Sequence, residues 1–486
     1  CASPVFHAFA GHEDLWHAHS VKLLELGGCF VWDTGGGTWR TSYALTRRRA
    51  LEGIAGSTCR PATSCARPCT ARVYSDVLYR SFYCAGINLD AKWFQRETIP
   101  KVDARSLAPK DFVQRFEQQS RPVLLEGCST SWPAFRSWSR ESLLERFGDA
   151  TFTCGPCDWP LREFYAYAER NNDEAPLFVF DRLFHQRAPA LMDDYEVPEL
   201  FRGRDLFDLL GDSRPAFRWL LVGNRRSGSK WHVDPNKTCA WNAVVRGRKR
   251  WLLLPPGCPP PGVHPSKDGD VVTQPLSIVE WFANFYAELR SIVDKNPSWN
   301  LLEGTCGPGD AIFVPCGWWH CVLNLEDDTF AVTQNYASET HVHSVRRFLR
   351  EKREQVSGTK LKSTLAELFD EALSRERPDL LNGDGISVAE GSRGVDARQE
   401  GTVGAAVCEG TAATDAPPAP AAASSFSFWD HLRSTGKSLG FNADAAAKDA
   451  APAPQQQGDV RETSGAPSQK RRRCATDVAL ADARRV

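Results

Sequence analysis

The sequence predicts a mainly β protein whose strands form a barrel or double-sheet sandwich of the jelly-roll type, with flanking helices and a disordered C-terminal tail. Three observations support this. Short apolar runs separated by Gly- and Pro-containing turns recur between about residues 240 and 336. Trp, Phe and Leu are frequent from about residue 76 to 350, as in a folded core. Beyond residue 383, Ala, Gly, Ser, Pro and Gln dominate, and such a segment buries too little apolar surface to offset its ordering entropy.

The bulk composition is that of an ordinary globular protein. Of 486 residues, 42% are hydrophobic and 24% charged, and 59 Lys and Arg nearly balance 60 Asp and Glu. The net charge of -1 predicts no general attraction to membranes or nucleic acid. We find no membrane span and no signal peptide, so the 16 Cys are expected to be reduced thiols. The only Met is Met192, and we expect the N-terminus to be truncated.

Four regions of different character succeed one another: residues 1–75, 76–350, 351–382 and 383–486. The first mixes short apolar runs with Gly- and Arg-rich breaks. The second is the folded core. The third is predicted to be a helix, because apolar residues recur at helical spacing at Leu361, Leu365, Leu368 and Phe369.

The C-terminal tail contains two features that stand out from its composition. An aromatic island lies at residues 426–430, and a basic cluster lies at 470–473. The basic cluster is either a solvated charge run or a nuclear localisation signal. The expected location is therefore the nucleus, with the cytoplasm as a second compartment.

The strands of the core are predicted in order from apolar runs and their flanking turns. A strand at 240–245 turns at 246–248 and returns at 250–254, where two prolines stop it. After a Gly-Pro-Gly-Asp turn at 307–310, further strands are predicted at 311–314, 319–325 and 330–336. Short strands of this kind favour a closed or two-layered β structure.

One fragment brings together two side chains that commonly bind metals. On a strand, residues two apart project to the same side, so His232 and Asp234 are expected to face one space. His320, much later in the chain, comes after a Gly-Trp-Trp sequence whose aromatic rings would wall a dry site. Two imidazoles and a carboxylate form the facial triad that suits non-haem Fe(II), with positions left for 2-oxoglutarate and O2. An H-x-D triplet alone is common, and a lone later His is more often a core or surface residue.

A charged residue near this fragment suggests an anionic co-substrate. Lys249 begins an apolar strand, where an ammonium group is costly unless it meets an anion such as the distal carboxylate of 2-oxoglutarate. Ser229, Asn242 and Thr333 are polar residues in or beside apolar strands, and they are candidates for further hydrogen bonds.

Several motifs recur in the order known from the jumonji-C (JmjC) family. They are HVDPN at 232–236, AWNA at 240–243, RKRW at 248–251, FVP at 313–315, GWWH at 317–320 and TQNYAS at 333–338. These motifs resemble the branch that contains the lysyl hydroxylase and proposed arginine demethylase once named the phosphatidylserine receptor. The resemblance covers about residues 75–350 and implies a double-stranded β-helix (cupin) core with Fe(II), 2-oxoglutarate and O2.

The resemblance also implies residue roles. His232, Asp234 and His320 match the iron ligands. Lys249 and Thr333 match residues that bind the distal carboxylate of 2-oxoglutarate, and further co-substrate contacts are implied for Asn242 and Ser229. Phe178 stands where relatives often have Tyr, so one phenolic hydrogen bond to the co-substrate is expected to be missing.

The N-terminal region resembles the F-box-plus-JmjC proteins of plants and algae. Residues 13–16 and 38–40 are similar to the end of an F-box and the adjoining segment, and residues 428–430 of the aromatic island are similar to theirs. An F-box binds the adaptor subunit of a ubiquitin ligase, so such a subunit is an expected partner if the full F-box is present.

A second motif has the sequence of a redox site but not its surroundings. Residues 154–157 spell the Cys-Gly-Pro-Cys of thioredoxin-type redox sites, but no thioredoxin-sized βαβ pattern surrounds them. A loop in the core is the favoured interpretation.

Three functions remain open. The leading one is a protein oxygenase that hydroxylates lysyl side chains or removes methyl groups from arginine or lysine. The second is an F-box-type adaptor or a non-catalytic binding protein. The third is an RNA-modifying oxygenase of the same fold, which the near-neutral charge disfavours.

Overall fold

The computed structural model describes residues 12–25, 30–35, 37–55 and 76–381. Within these ranges the α-helices are α1 (Glu13–Glu25), α2 (Trp39–Ala55), α3 (Asp76–Gly86), α4 (Pro109–Phe112), α5 (Ala134–Ser137), α6 (Arg140–Phe147), α7 (Leu161–Ala168), α8 (Phe184–Arg187), α9 (Ile278–Lys295), α10 (Val342–Glu351) and α11 (Leu365–Glu376). The strands are β1 (Lys101–Asp103), β2 (Val123–Glu126), β3 (Thr151–Cys154), β4 (Cys157–Pro160), β5 (Val179–Asp181), β6 (Arg218–Gly223), β7 (Gly228–His232), β8 (Cys239–Arg246), β9 (Lys249–Leu254), β10 (His264–Pro265), β11 (Val272–Thr273), β12 (Leu302–Cys306), β13 (Ala311–Val314), β14 (Trp319–Asn324) and β15 (Thr329–Tyr336).

Two sheets form the body of the fold. Nine strands pair in the order β1-β2-β13-β8-β15-β6-β5-β3-β4, and four pair in the order β12-β9-β14-β7. All neighbours in these sheets are antiparallel except β1 and β2. Trp219 and Leu221 of the larger sheet lie in one buried cluster with Trp251 and Val322 of the smaller one. The predicted double-sheet β fold with flanking helices is confirmed, as are the strands predicted between residues 240 and 336.

Helices cover the outer faces because the strands are apolar on both sides. Every residue of β9 is buried, and Leu252 and Leu254 point outward into a cluster with Phe282 of α9. The outer face of the larger sheet packs against the helices and loops of residues 104–201. The space between the sheets is therefore shielded from solvent on both sides.

The N-terminal helices pack onto the same core. The indole ring of Trp39 in α2 lies 5.8 Å from that of Trp159 and 5.7 Å from the Tyr167 ring. Trp39 also donates from Nε1 to the Asp173 carboxylate at 3.1 Å. The predicted domain boundary at residue 75 falls in residues 56–75, which lie outside the described ranges.

The helix predicted over 351–382 is wrong in its extent. Helix α10 ends at Glu351 and α11 runs only from Leu365 to Glu376, while Leu361 is exposed in the connection. Gly358 breaks the helix, because its φ is +78° and its carbonyl oxygen accepts from the backbone N of Ala216 at 2.7 Å. The apolar spacing was helical, but the backbone bond to the body of the fold overrides it.

Residues 382–486 lie outside the described ranges, and so do the predicted disordered tail, its aromatic island and the basic cluster at 470–473. Among the helices of the described part, none has the length and apolar character to cross a membrane.

Candidate metal centre and adjoining cavity

Two histidines meet across neighbouring strands of the smaller sheet. His232 is the last residue of β7, and antiparallel pairing with β14 places His320 directly opposite. The centroids of the two imidazole rings are 4.1 Å apart. Cross-strand partners have neighbouring side chains on one face of a sheet, so the pairing itself brings the two rings together.

Asp234 completes the group from just beyond the strand. Its backbone is extended, with φ -60° and ψ 143°, before a turn that begins at Pro235. Asp234 Oδ1 lies 4.0 Å from His320 Nε2. One ligand atom from each of His232, Asp234 and His320 lies within 4.8 Å of the others.

A hydrogen bond to a backbone carbonyl oxygen orients each of the two imidazoles. His232 donates from Nδ1 to the carbonyl oxygen of Lys230 at 2.7 Å, and His320 donates from Nδ1 to that of Trp318 at 3.0 Å. Such bonds fix the tautomer in which Nε2 carries the lone pair.

Asp234 Oδ2 is buried and has no hydrogen-bond partner among the described residues. A buried, unpartnered carboxylate oxygen beside two oriented imidazoles fits a divalent cation of the Fe(II) type.

Burial controls the protonation of this group. Desolvation, assisted by the other imidazole, lowers the pKa of His232 to about 3, and desolvation lowers that of His320 to about 4. Desolvation raises the pKa of Asp234 above its usual range. The imidazoles are therefore neutral at physiological pH, which is the form that binds metals.

All eight residues predicted for the site line a single cavity between the sheets. They are Phe178, Ser229, His232, Asp234, Asn242, Lys249, His320 and Thr333. The structure thus brings together residues of several strands and the connections between them. Their roles in binding stay predictions.

Lys249 lies at the start of β9 and is only 3% exposed. Within the described part of the chain no carboxylate forms an ion pair with it. Burial lowers the pKa of its ammonium group to about 8. A buried cation without a counter-ion, lining a cavity, is the feature expected of a binding site for an anion.

The polar residues around Lys249 differ in how many of their donors and acceptors already form hydrogen bonds. Thr333 donates from Oγ1 to the carbonyl oxygen of Trp241 at 2.8 Å, so its oxygen remains an acceptor that faces the cavity. Asn242 is buried, and its Oδ1 has no partner among the described residues. Ser229 is half-buried on β7. An incoming ligand with donors and acceptors would satisfy these groups.

Phe178 forms part of the cavity wall just before β5. Its ring lies 6.1 Å from that of Phe180, which stacks on Trp219 at 5.6 Å. The wall on this side is therefore aromatic and provides no hydroxyl at position 178.

Sequence reasoning missed several residues of the cavity. Asn324 pairs across strands with Lys249, its Nδ2 donates to Ser227 Oγ at 2.9 Å, and its Oδ1 has no partner among the described residues. Trp251 stacks over His320 with ring centroids 6.0 Å apart. Trp251 lies two residues after Lys249 on one strand, so strand alternation was a signal that could have found it.

The Cys-Gly-Pro-Cys motif forms the turn of a β-hairpin. Cys154 ends β3 and pairs with Cys157 at the start of β4, and both thiols are buried. Helix α7 begins only at Leu161, and burial raises the pKa of Cys154 well above its ordinary value. A redox motif of this type requires the opposite shift in the thiol pKa, so a structural role is favoured over a redox one. The segment predicted to be a loop is the turn of this hairpin.

Comparison with known proteins gives the same assignment. Residues 158–341 match the model of a cupin-like domain. The chain is 41% identical over 377 residues to "Arginine-specific demethylase JMJ22" of Arabidopsis thaliana, covering 77% of this chain and 70% of the relative. It is 34% identical over 299 residues to "Bifunctional arginine demethylase and lysyl-hydroxylase psr-1" of Caenorhabditis elegans, covering 59% and 70%. It is 40% identical over 271 residues to "Lysine-specific demethylase JMJ21" of Arabidopsis thaliana, covering 54% of this chain and 28% of that relative. The chain therefore belongs to the JmjC family of cupin-like, 2-oxoglutarate- and iron-dependent oxygenases.

Proposed function

We propose that this chain oxidises a C–H bond of arginine or lysine side chains in proteins, with Fe(II), 2-oxoglutarate and O2. The product would be a hydroxylysine or, from an N-methyl group, an unstable N-hydroxymethyl group whose carbon leaves as formaldehyde and whose nitrogen regains a proton. The observation that carries the proposal is the single cavity that holds both the triad and Lys249.

The parts of the cavity match the two ends of the co-substrate. His232, Asp234 and His320 would hold the iron, which together with 2-oxoglutarate and O2 supplies the oxidation of a C–H bond. Lys249 would bind the distal carboxylate as the counter-ion that its ammonium group lacks. Asn242 and Thr333 would add hydrogen bonds from the larger sheet.

The chain's own contribution is positioning and the exclusion of water. The backbone carbonyls of Lys230 and Trp318 hold both imidazoles in one tautomer. Trp251 covers His320, and Phe178 and Phe180 close the cavity opposite. A dry, pre-oriented site strengthens the electrostatic contacts made inside it.

The substrate class rests on the relatives. Two of them, at 41% and 34% identity, carry arginine demethylation in their names, and the second also carries lysyl hydroxylation. Methylated arginine is therefore the first substrate to test, with unmodified lysine as the second.

The test is co-substrate turnover with product identification. The chain is loaded with Fe(II) anaerobically and given 2-oxoglutarate, ascorbate and peptides that contain either methylarginine or lysine. O2 is then admitted, and succinate and peptide mass are monitored. We expect succinate formation that rises with peptide, accompanied by a loss of about 14 Da per methyl or a gain of about 16 Da per hydroxylated lysine, as the reaction chemistry requires.

Two variants make the result specific. His232→Ala removes one triad ligand and is expected to abolish succinate formation. His264→Ala removes an exposed histidine outside the cavity and is expected to change nothing. Equal succinate from both variants would contradict the proposal, whereas bound iron without any turnover would support the binding-protein alternative.

The partner and location remain proposals with their own tests. A ubiquitin-ligase adaptor subunit would be recovered with the chain only if an F-box is present, and deletion of its N-terminal residues would abolish recovery. Nuclear entry would depend on residues 470–473, so their deletion would shift the chain to the cytoplasm. RNA modification would require turnover with RNA and none with peptide.

A further inference from the structure

A second cluster of metal-ligand side chains lies outside the cavity. Cys84 of α3, Glu174 in the segment before β5 and Glu280 in the first turn of α9 each offer one ligand atom, and these atoms lie within 4.8 Å of one another. Their exposed fractions are 3%, 7% and 1%. The cluster is therefore unlike the acidic groups that gather on protein surfaces, where water solvates each charge.

The two carboxylates of the cluster differ in how they are compensated. Glu280 Oε1 accepts from Arg80 Nε at 3.0 Å, and Oε2 accepts from the backbone N of Leu276 at 3.1 Å. Glu174 Oε2, in contrast, is buried and has no hydrogen-bond partner among the described residues. A buried polar atom without a partner costs free energy, which a bound cation would recover.

The pKa values of the cluster also favour a bound cation. Burial and, after it, the neighbouring Glu280 carboxylate raise the pKa of Glu174 to about 7. Burial raises the pKa of Cys84 to about 12. Both groups resist charging on their own, but a coordinated cation holds a carboxylate ionised and deprotonates a thiol outright.

We propose that Cys84, Glu174 and Glu280 bind a divalent cation of borderline softness, for which zinc is the best match. A thiolate selects against Mg2+ and Ca2+, and a mixed sulfur and oxygen set suits zinc. With zinc bond lengths of about 2.0–2.3 Å, tetrahedral ligand atoms lie about 3.3–3.8 Å apart. The three ligand atoms, which lie within 4.8 Å of one another, would therefore have to move closer together on binding. Glu280 Oε1 accepts from both Nε and Nη2 of Arg80, whereas Oε2 accepts only from the backbone N of Leu276 and keeps a second lone pair for the metal.

The position of the cluster indicates a structural role. The ion would tie α3, the segment before β5 and the start of α9 to one point. Glu174 precedes Phe178 of the cavity wall by four residues. Arg226, in the connection that leads into β7, donates to the carbonyl oxygen of Cys84 at 2.8 Å. The site would thus fix both the aromatic wall and the approach to the strand that carries His232.

The experiment measures the metal content of the full chain in variants that each lack one of the two sites. Wild-type chain is dialysed against Zn2+ and then against buffer, and zinc is quantified beside His232→Ala, which disables the JmjC site. We expect His232→Ala to retain one equivalent of zinc and to lose it when Glu174→Gln or Cys84→Ser is added. With Co2+ in place of zinc, a thiolate-to-metal charge-transfer band is expected in His232→Ala and absent after Cys84→Ser.

Two controls keep the result interpretable. Cys258→Ser alters a half-buried free thiol outside the cluster and should leave both zinc and the Co2+ band unchanged. Glu174→Gln is nearly isosteric, and its circular dichroism and elution volume would show whether the chain still folds. The proposal is overturned if His232→Ala retains no zinc and shows no thiolate band, in which case Cys84 and Glu174 share a proton instead. This outcome would leave the turnover test of the triad untouched.

Discussion

Lys249→Met is expected to stabilise the ligand-free protein while it weakens co-substrate binding. Lys249 is 3% exposed, and burial lowers the pKa of its ammonium group from 10.5 to about 8. One pKa unit corresponds to about 1.4 kcal/mol, so a pKa lowered from 10.5 to about 8 means that the charged side chain costs the folded state at most about 3.5 kcal/mol. Methionine keeps most of the volume and removes the charge.

The sign of the pH dependence is set by the lowered pKa. Below about pH 8 the lysine is charged in both the folded and the unfolded state, and the full cost is present. The cost shrinks as pH rises from the folded pKa toward the unfolded value of 10.5, where both states are neutral. The advantage of Lys249→Met should therefore be largest at neutral pH and fade at alkaline pH.

The assay is thermal unfolding of the Mn2+-loaded chain with and without 2-oxoglutarate. The change in Tm is about 2–4 °C per kcal/mol for domains of about 150–250 residues and smaller for the larger folded body here, so the variant should melt several degrees higher than wild type without ligand. At about one hundred times Kd, 2-oxoglutarate should stabilise wild type by about 2.7 kcal/mol and leave the variant unmoved.

Lys110→Met, at an exposed lysine of α4, is the matched control and should change neither quantity. A Lys249→Met protein that melts no higher than wild type, or that keeps the ligand shift, would refute this account of Lys249.

The site leads to three further predictions. Phe178→Tyr should lower the KM for 2-oxoglutarate by about five- to tenfold, because a phenol donating to a carboxylate contributes about 1–1.5 kcal/mol, and an unchanged KM would count against the missing hydroxyl. Mn2+ affinity should not track histidine titration, because burial holds the imidazole pKa values at about 3 and about 4. Its loss on acidification should instead follow the protonation of Asp234, whose pKa is raised by burial, and a loss that follows the uptake of more than one proton would contradict this. Gly228→Ala should separate β7 from β14 and abolish metal binding, because its Cβ would lie 2.0 Å from a β14 carbonyl oxygen. Gly86→Ala, which has open space around it, is the control. Metal retained by Gly228→Ala would disprove the clash.

The triad and the sheets could be predicted because their signals are local. The sequence predicted His232 and Asp234 near each other from the two-residue period of a strand, and although β7 ends at His232, Asp234 is still extended. Lys249 stands out because a charge in an apolar run needs a counter-ion. The structure supplies the long-range fact that β7 and β14 are neighbours, and this places His320 opposite His232.

Local periodicity failed where a tertiary contact overrode it. The apolar spacing of Leu361 and Leu365 predicted one continuous helix, but the helix starts only at Leu365. The connection is held elsewhere, since the backbone N of Ser357 donates to Asn236 Oδ1 at 3.1 Å and Gly358 bonds to Ala216. No property of residues 351–364 alone records these distant partners.

The cluster of Cys84, Glu174 and Glu280 could not be predicted from the sequence at all, whereas the helix was wrong only in its extent. Each residue has an ordinary local explanation: a cysteine in a helix, an acid in a polar connection, and a glutamate in a first helical turn, whose backbone N donates to the Oγ of Ser277 at 3.1 Å. None lies within strand or helix spacing of another, so no motif signals the cluster. Their common burial becomes visible only when the fold brings three segments together. The buried Glu174 oxygen without a partner among the described residues costs free energy, and no local sequence pattern indicates this cost. It is evidence for a ligand in the same way that the uncompensated charge of Lys249 is evidence for an anion in the cavity.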